Sequence, residues 1–236
     1  WYVRSNYFYN STGGVVLRLQ RSEENLKSWI KYRSDIWRYD GAEEPLRRMA
    51  NTNSNLYAYR FDWDEQNNSS FAGNYQLFVG AAHGLEIPFL TGDYDLGPIT
   101  FYIKPFMFPD DSDEGRLALS DLMMTYWANI AKYGNPNEFV KGPKWEKFTQ
   151  ENNQLLILDN PTANLVEMRT IPVSKDDLLS QIEADSALEI KERCLIGWIA
   201  ARNFQEDARP QPPFNFCSNF TEEDLYKLRN LTEGRD

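Results

Sequence analysis

The stretch Gly80-Ala81-Ala82-His83-Gly84-Leu85-Glu86-Ile87-Pro88-Phe89-Leu90 holds the only histidine among 236 residues. Small residues flank the imidazole on both sides, so the spacing predicts an uncrowded loop from which His83 can reach another group. No other side chain here has an ordinary pKa close to neutrality. If the chain moves protons, His83 is the first candidate; the competing reading is a lone structural histidine. Upstream, Asn55-Leu56-Tyr57-Ala58-Tyr59-Arg60-Phe61-Asp62-Trp63 alternates aromatic with smaller or charged residues and predicts a buried strand. A strand running into a histidine loop is the feature from which the rest of the fold is read.

Downstream, Leu117, Leu119, Leu122, Met123, Tyr126, Trp127, Ile130 and Ala131 recur at helical spacing, predicting a helix over 116–133. Gly134 and Pro136 close it. Its aromatic stripe reads as a core-facing side. Leu155-Leu156-Ile157-Leu158 predicts a short apolar strand, Ser174 with Asp176 and Asp177 opens another helix, and 187–204 reads as a last strong helix. Before the strand, Ser22-Glu23-Glu24 caps a helix carrying Leu26, Trp29, Ile30 and Arg33, and a second runs from Glu43 to Met49. Residues 1–20 include a possible short strand at 15–19. Residues 64–75 read as a surface loop, 91–115 as loop or excursion, and 205–236 as a polar tail.

Composition narrows the functions. Apolar residues make up 42%, charged residues 25% and aromatics 14%, which suits a packed domain. A net charge of -10 repels phosphate, so no nucleic-acid partner is expected. No apolar run approaches the roughly 18 residues of a membrane span. One histidine and two separated cysteines supply no recognisable zinc set. Asp110, Asp111, Asp113 and Glu114 lack calcium-loop spacing and read as a solvated acidic loop. Phosphate-cradling glycine motifs are absent, and no cofactor is expected. Cys194 and Cys217 either pair, closing a loop of about 24 residues, or stand as separate thiols; both remain open. Asn-x-Ser/Thr occurs at Asn10, Asn67, Asn68, Asn219 and Asn230, a mild excess that weakly favours an exported chain.

A serine hydrolase needs a nucleophile, a base and an acid that orients the base. His83 could be the base. No serine here has glycine at both flanking positions, so the G-x-S-x-G elbow is missing. Asp35, Asp62, Asp64 and Glu86 are acids near His83 in sequence, each read as structural or solvated in preference to a partner.

Four ordered motifs carry a resemblance. The strand 55–62 followed by Gly80-Ala-Ala-His83-Gly84-Leu85-Glu86-Ile87-Pro88-Phe89 resembles the C-terminal part of type-B carboxylesterases, the cholinesterase and para-nitrobenzyl-esterase group of α/β-hydrolases. Tyr126-Trp127 through Gly134-Asn135-Pro136-Asn137 resembles their helix ending. Pro143-Lys144-Trp145-Glu146-Lys147-Phe148 resembles their P-x-W segment. Ser34-Asp35-Ile36-Trp37 through Pro45 to Ala50 resembles the helix before the last long strand. The resemblance covers residues 34–170, and Arg60 and Trp63 look closer to microbial members.

The resemblance implies an α/β class, with residues 1–236 as the C-terminal portion of a single α/β-hydrolase domain: last core strands plus packing helices. It makes His83 the catalytic base, on a loop shaped by Gly84 and Glu86. In this family the order along the chain is Ser, acid, His, so the nucleophile, the acid and the oxyanion loop are expected before Trp1. The implied partners are a small-molecule ester and the N-terminal portion of the same enzyme, in the same or a separate chain. The implied location is extracellular or periplasmic. His83 must be neutral to accept a proton, so activity is expected to fall below about pH 6–7. Phe89, Phe101 and Tyr102 are weak substrate-contact candidates beside an ordinary packing role. The rivals are a non-catalytic adhesion or binding module of the same fold, and a self-sufficient chain with a structural His83.

Overall fold

The longest helix, α5, occupies Asp113–Tyr133 and shows how local chemistry sets an element. Asp113 and Glu114 lie in its first turn and Lys132 in its last, so the charges oppose the helix dipole. Leu119, Met123 and Tyr126 fall on one face and are fully buried. Gly134 ends it in the left-handed conformation (φ 67°), donating its N–H to the Ile130 carbonyl at 2.9 Å.

The structure is a computed structural model that describes residues 23–66, 79–95, 97–170, 174–204 and 214–233, without the side chains of 23, 99–103, 203–204 and 230–233. The expected strand at 15–19, the cap at Ser22 and most of the 64–75 loop lie outside them. The other α-helices and strands, with one π-helical turn, are α1 (Glu23–Arg38), the π-helical turn (Tyr39–Glu43), α2 (Glu44–Ala50), β1 (Tyr59–Phe61), α3 (Glu86–Thr91), α4 (Thr100–Met107), β2 (Gln154–Leu158), β3 (Glu167–Thr170), α6 (Lys175–Ala184), α7 (Ile190–Phe204) and α8 (Glu222–Glu233), and short 3-10 turns lie between some of them. The chain divides into two compact units: residues 46–171, and residues 1–45 with 172–236.

The unit of residues 46–171 is built on a three-stranded sheet of order β1-β2-β3. β1 runs parallel to β2, with Tyr59 opposite Leu156 and Phe61 opposite Leu158. β3 returns antiparallel, Met168 opposite Leu156. A parallel pair requires a crossover, and the stretch carrying α3, α4 and α5 supplies it. Regular pairing covers only three residues of the expected 55–63 strand. Upstream of them the chain stays extended: the Leu56 carbonyl accepts from Phe148 N–H at 2.8 Å and the Ala58 carbonyl from Leu156 N–H at 2.9 Å. Residues 91–115 are more helical than expected, because α4 accommodates Pro105 in its C-terminal half.

The sequence motifs bind one another here. Asn55 Nδ2 donates to the Gly134 carbonyl at 3.0 Å, tying the strand run to the end of α5. Asn137 brackets Trp145, its Oδ1 accepting the Trp145 N–H at 2.7 Å and its Nδ2 donating to the Trp145 carbonyl at 3.0 Å. The Trp145 indole, 2% exposed, donates to the Ala58 carbonyl at 2.9 Å and meets Tyr57, Tyr59, Tyr126 and Trp127 with ring centres 5.3–6.2 Å apart. Gly142 passes so close to α5 that a β-carbon there would sit 2.5 Å from Leu122 Cδ1.

The second unit packs α1, α6, α7 and α8 around Trp29, Tyr32, Ile36, Leu178, Ile182 and Trp198. Ser174 opens α6 with a reciprocal capping box to Asp177. Cys194 and Cys217 form a disulfide with a Cα–Cα separation of 5.6 Å, joining α7 to the turn that precedes α8. Part of the expected polar tail is therefore helical; Thr221 and Asp224 cap α8, Asp224 Oδ2 accepting the Thr221 N–H at 2.9 Å and Thr221 Oγ1 accepting the Asp224 N–H at 3.1 Å. Among the described residues no helix is long and apolar enough to cross a membrane.

Candidate active site

β1 delivers the chain to the site. Asp62 N–H continues the ladder to the Leu158 carbonyl at 2.9 Å, and its carboxylate forms an ion pair with Arg60. Trp63 is then fully buried, its ring 5.2 Å from Phe89. The strand end is thereby fixed to the helix that follows the histidine loop. Gln66, 4% exposed, lies three residues on, and its Nε2 donates to the Gly80 carbonyl at 3.1 Å.

His83 lies on the turn between Gly80 and α3 and is exposed. Two glycines make this turn possible: Gly80 at φ 46° and Gly84 at φ 88° occupy the left-handed region that side chains disfavour. The Gly80 carbonyl also accepts the Ala82 N–H at 2.8 Å, and the Ala82 carbonyl accepts the Leu85 N–H at 3.0 Å. Glu86 turns back so that Oε2 accepts the Gly84 N–H at 2.8 Å. Burial of its phenol pushes the pKa of Tyr59 on β1 up, and the negative charge of Glu86 adds to the shift. His83 thus sits between two backbone anchors, one from Gln66 and one from Glu86.

The other acids near His83 in sequence have different work. Asp35 pairs with Lys31 at 3.2 Å and Arg38 at 3.4 Å. Asp62 holds Arg60. Asp64 is part of a carboxylate group at the ends of β1 and β2. There, burial first, and then the charges of Asp64, Asp62 and Glu65, push the Asp159 carboxyl up to about 6, against the Asn160 N–H that favours its ionised form. A polar cavity of about 250 Å3 adjoins these ends, lined in part by Glu65, Gln66, Asp111 and Glu114. Among the described residues no group of three or more His, Cys, Asp or Glu is placed to hold a metal.

Phe89 is fully buried, its ring against Phe61 at 5.2 Å and Tyr94 at 5.6 Å, with its carbonyl accepting from Ser120 Oγ at 2.7 Å. It anchors α3 in the core instead of facing an open pocket. The side chains of Phe101 and Tyr102 lie outside the described ones. Cys194 and Cys217 meet in the other unit. Gln66 and the Asp159 group escaped the sequence reading. The glutamine's partner is a backbone carbonyl across a loop, which no periodicity records, and the Asp159 carboxyl joins residues 62–65 only through strand pairing.

The carboxylesterase family model matches residues 10–175. Similar proteins include the acetylcholinesterase of Gallus gallus, 32% identical over 103 residues, covering 44% of this chain and 11% of the relative. Carboxylesterase 5A of Felis catus is 33% identical over 159 residues, covering 66% of this chain and 25% of the relative. Neuroligin-3 of Macaca mulatta is 40% identical over 68 residues, covering 29% of this chain and 30% of the relative. The chain thus spans between about a tenth and a third of the length of these relatives. With the model spanning well over half of its residues, the chain belongs to the carboxylesterase family, whose fold is the α/β-hydrolase.

Proposed function

We propose that this chain is the C-terminal portion of a serine-dependent carboxylic ester hydrolase, in which His83 is the general base. The observation that carries the reading is the exposed His83 on a turn whose two ends are anchored by Gln66 and Glu86. An exposed, anchored imidazole after a parallel strand suits a base that serves a nucleophile on another segment. The nucleophilic serine, the acid and the donors for the oxyanion lie upstream of Trp1 in this reading, and both compact units belong to one α/β-hydrolase domain with them.

His83 takes the proton from the serine hydroxyl as the oxygen attacks the ester carbonyl. It returns that proton to the leaving alkoxide, which departs as the alcohol. Water then attacks the acyl-enzyme, His83 accepting its proton and giving it to the serine oxygen as the acid product leaves. The disulfide supports an extracellular or periplasmic site, since such bonds persist in oxidising compartments.

The test is turnover of a simple aryl ester by the full-length protein. His83→Ala is expected to lower kcat by about four orders of magnitude or more while leaving the melting temperature close to that of the parent. Near-normal hydrolysis by that variant would remove His83 from the mechanism. The match to neuroligin-3, whose name is not that of an esterase, supports a second reading as an adhesion or binding module. A serine-directed organophosphonate separates them: stoichiometric covalent labelling supports the esterase, and no labelling of folded protein supports the binding module.

A further inference from the structure

We infer that Gln66 is a positioning residue for the catalytic histidine, a role that rests on the ester-hydrolase reading above. Three observations converge on it. Gln66 is almost fully buried, and of its two amide atoms Nε2 is the one with a partner, while Oε1 is buried without one. Its Nε2 donates at 3.1 Å to the Gly80 carbonyl, 14 residues away in sequence, at the entrance of the histidine turn. That same carbonyl accepts the Ala82 N–H, the last backbone N–H before that of His83. One oxygen therefore links the strand-end segment to the turn that aims the imidazole.

The peptide unit of Gly80 needs such a hold. Glycine at φ 46° can swing to many other conformations at small cost. Within Gly80-Ala81-Ala82 the Ala82 N–H to Gly80 carbonyl bond is a backbone one, and none of these residues carries a side chain able to hydrogen-bond. On the far side, Glu86 selects the Gly84 conformation through its carboxylate. Gln66 does the corresponding work on the near side, from a segment fixed by the buried Trp63 and by its own N–H to the Asp64 carbonyl at 2.8 Å. Without it the turn loses its side-chain hold at Gly80, and the imidazole samples positions that do not meet the serine hydroxyl. Misplacement of a base by about 1 Å can cost about a hundredfold in rate, and it affects the chemical step more than substrate binding.

The experiment uses the full-length protein with Gln66→Met and Gln66→Glu, each normalised to active sites titrated by burst release from an activated ester, and with His83→Ala, normalised to the concentration of folded protein. Gln66→Met keeps the length and removes the donor. It is expected to lower kcat between about tenfold and a hundredfold with KM within about twofold. Gln66→Glu places an acceptor against the Gly80 carbonyl when ionised, and regains an O–H donor when protonated. Its kcat relative to wild type is therefore expected to rise as the pH is lowered from 8 towards about 5, the range in which a buried Glu takes up its proton. A role confined to folding would lower the titratable sites and leave kcat per site and the pH ratio unchanged; that result overturns the inference, as does Gln66→Met with kcat within about twofold of wild type. Should His83→Ala itself retain full activity, the failure lies in the ester-hydrolase reading and not in the clamp alone.

Discussion

The two compact units solve the burial problem differently. The unit of residues 46–171 closes its core with rings: Trp63, Phe89, Phe108, Tyr126 and Trp145 are all nearly inaccessible. The helical unit uses a covalent link between Cys194 and Cys217 and a buried carboxylate. Glu192, near the start of α7, accepts Asn25 Nδ2 at 2.8 Å, Trp29 Nε1 at 3.1 Å and the Glu189 N–H at 2.9 Å. Buried charge is tolerated where hydrogen bonds replace water. The contrast shows where function can be placed. Beside the ring-packed core the histidine turn stays exposed, with Gly80 and Gly84 in the left-handed region, whereas the helical unit adds a disulfide and a hydrogen-bonded buried carboxylate to its core.

The sharpest way to break this contrast is to open the aromatic core. Trp145→Ala removes four ring contacts and the indole bond to Ala58, and is expected to cost about 3–5 kcal/mol in chemical denaturation. Native-state hydrogen exchange should rise first in β1 and β2. Next in size is the disulfide. Replacing Cys194 and Cys217 together by serine should cost roughly 3 kcal/mol, the chain-entropy value for a loop of about 24 residues. The loss is expected in α7 and α8, with β1 and β2 amides protected as before. Exchange that rises equally in both units would show that they do not differ in the way described.

The smallest effect is electrostatic. Asp159 has its carboxyl raised to about 6 from an unfolded reference of 3.8, so its ionised form is disfavoured in the folded chain. The destabilisation is full above pH 6 and is gone below pH 3.8. Asp159→Asn keeps an oxygen for the Asn160 N–H and removes the charge. It is expected to raise the melting temperature at pH 8, by an amount that shrinks as the pH falls through 6 and disappears near 4. A constant difference across that range would place the cause in packing instead.

Legibility followed the reach of each interaction along the chain. α5 was readable because its period, its end charges and Gly134 all lie within one segment. The capping box at Ser174 was half visible, since Ser174 and Asp177 are local partners. α4 was hidden by Pro98 and Pro105, which read as breakers although the second falls late in the helix. α8 was hidden by its polar composition, although Thr221 and Asp224 stand at capping spacing. The 55–63 run was identified as extended, yet only three of its residues pair regularly, because pairing depends on where β2 arrives. His83 stood out by being alone. Gln66 did not, because a buried glutamine and a surface one look the same until the carbonyl across the loop is seen.

The pairing of Tyr59 with Leu156 has a consequence for the order of assembly. β2 and β3 lie close together in sequence and can find each other early, whereas β1 meets β2 only after about a hundred intervening residues have been brought into place. Contacts of such long range are slow to form. The turn bearing His83 hangs from the end of β1, so the imidazole reaches its position only when that distant pairing has closed. If His83 is the base proposed above, competence for chemistry is the last property this unit acquires as it folds, and the first it loses when the sheet begins to open.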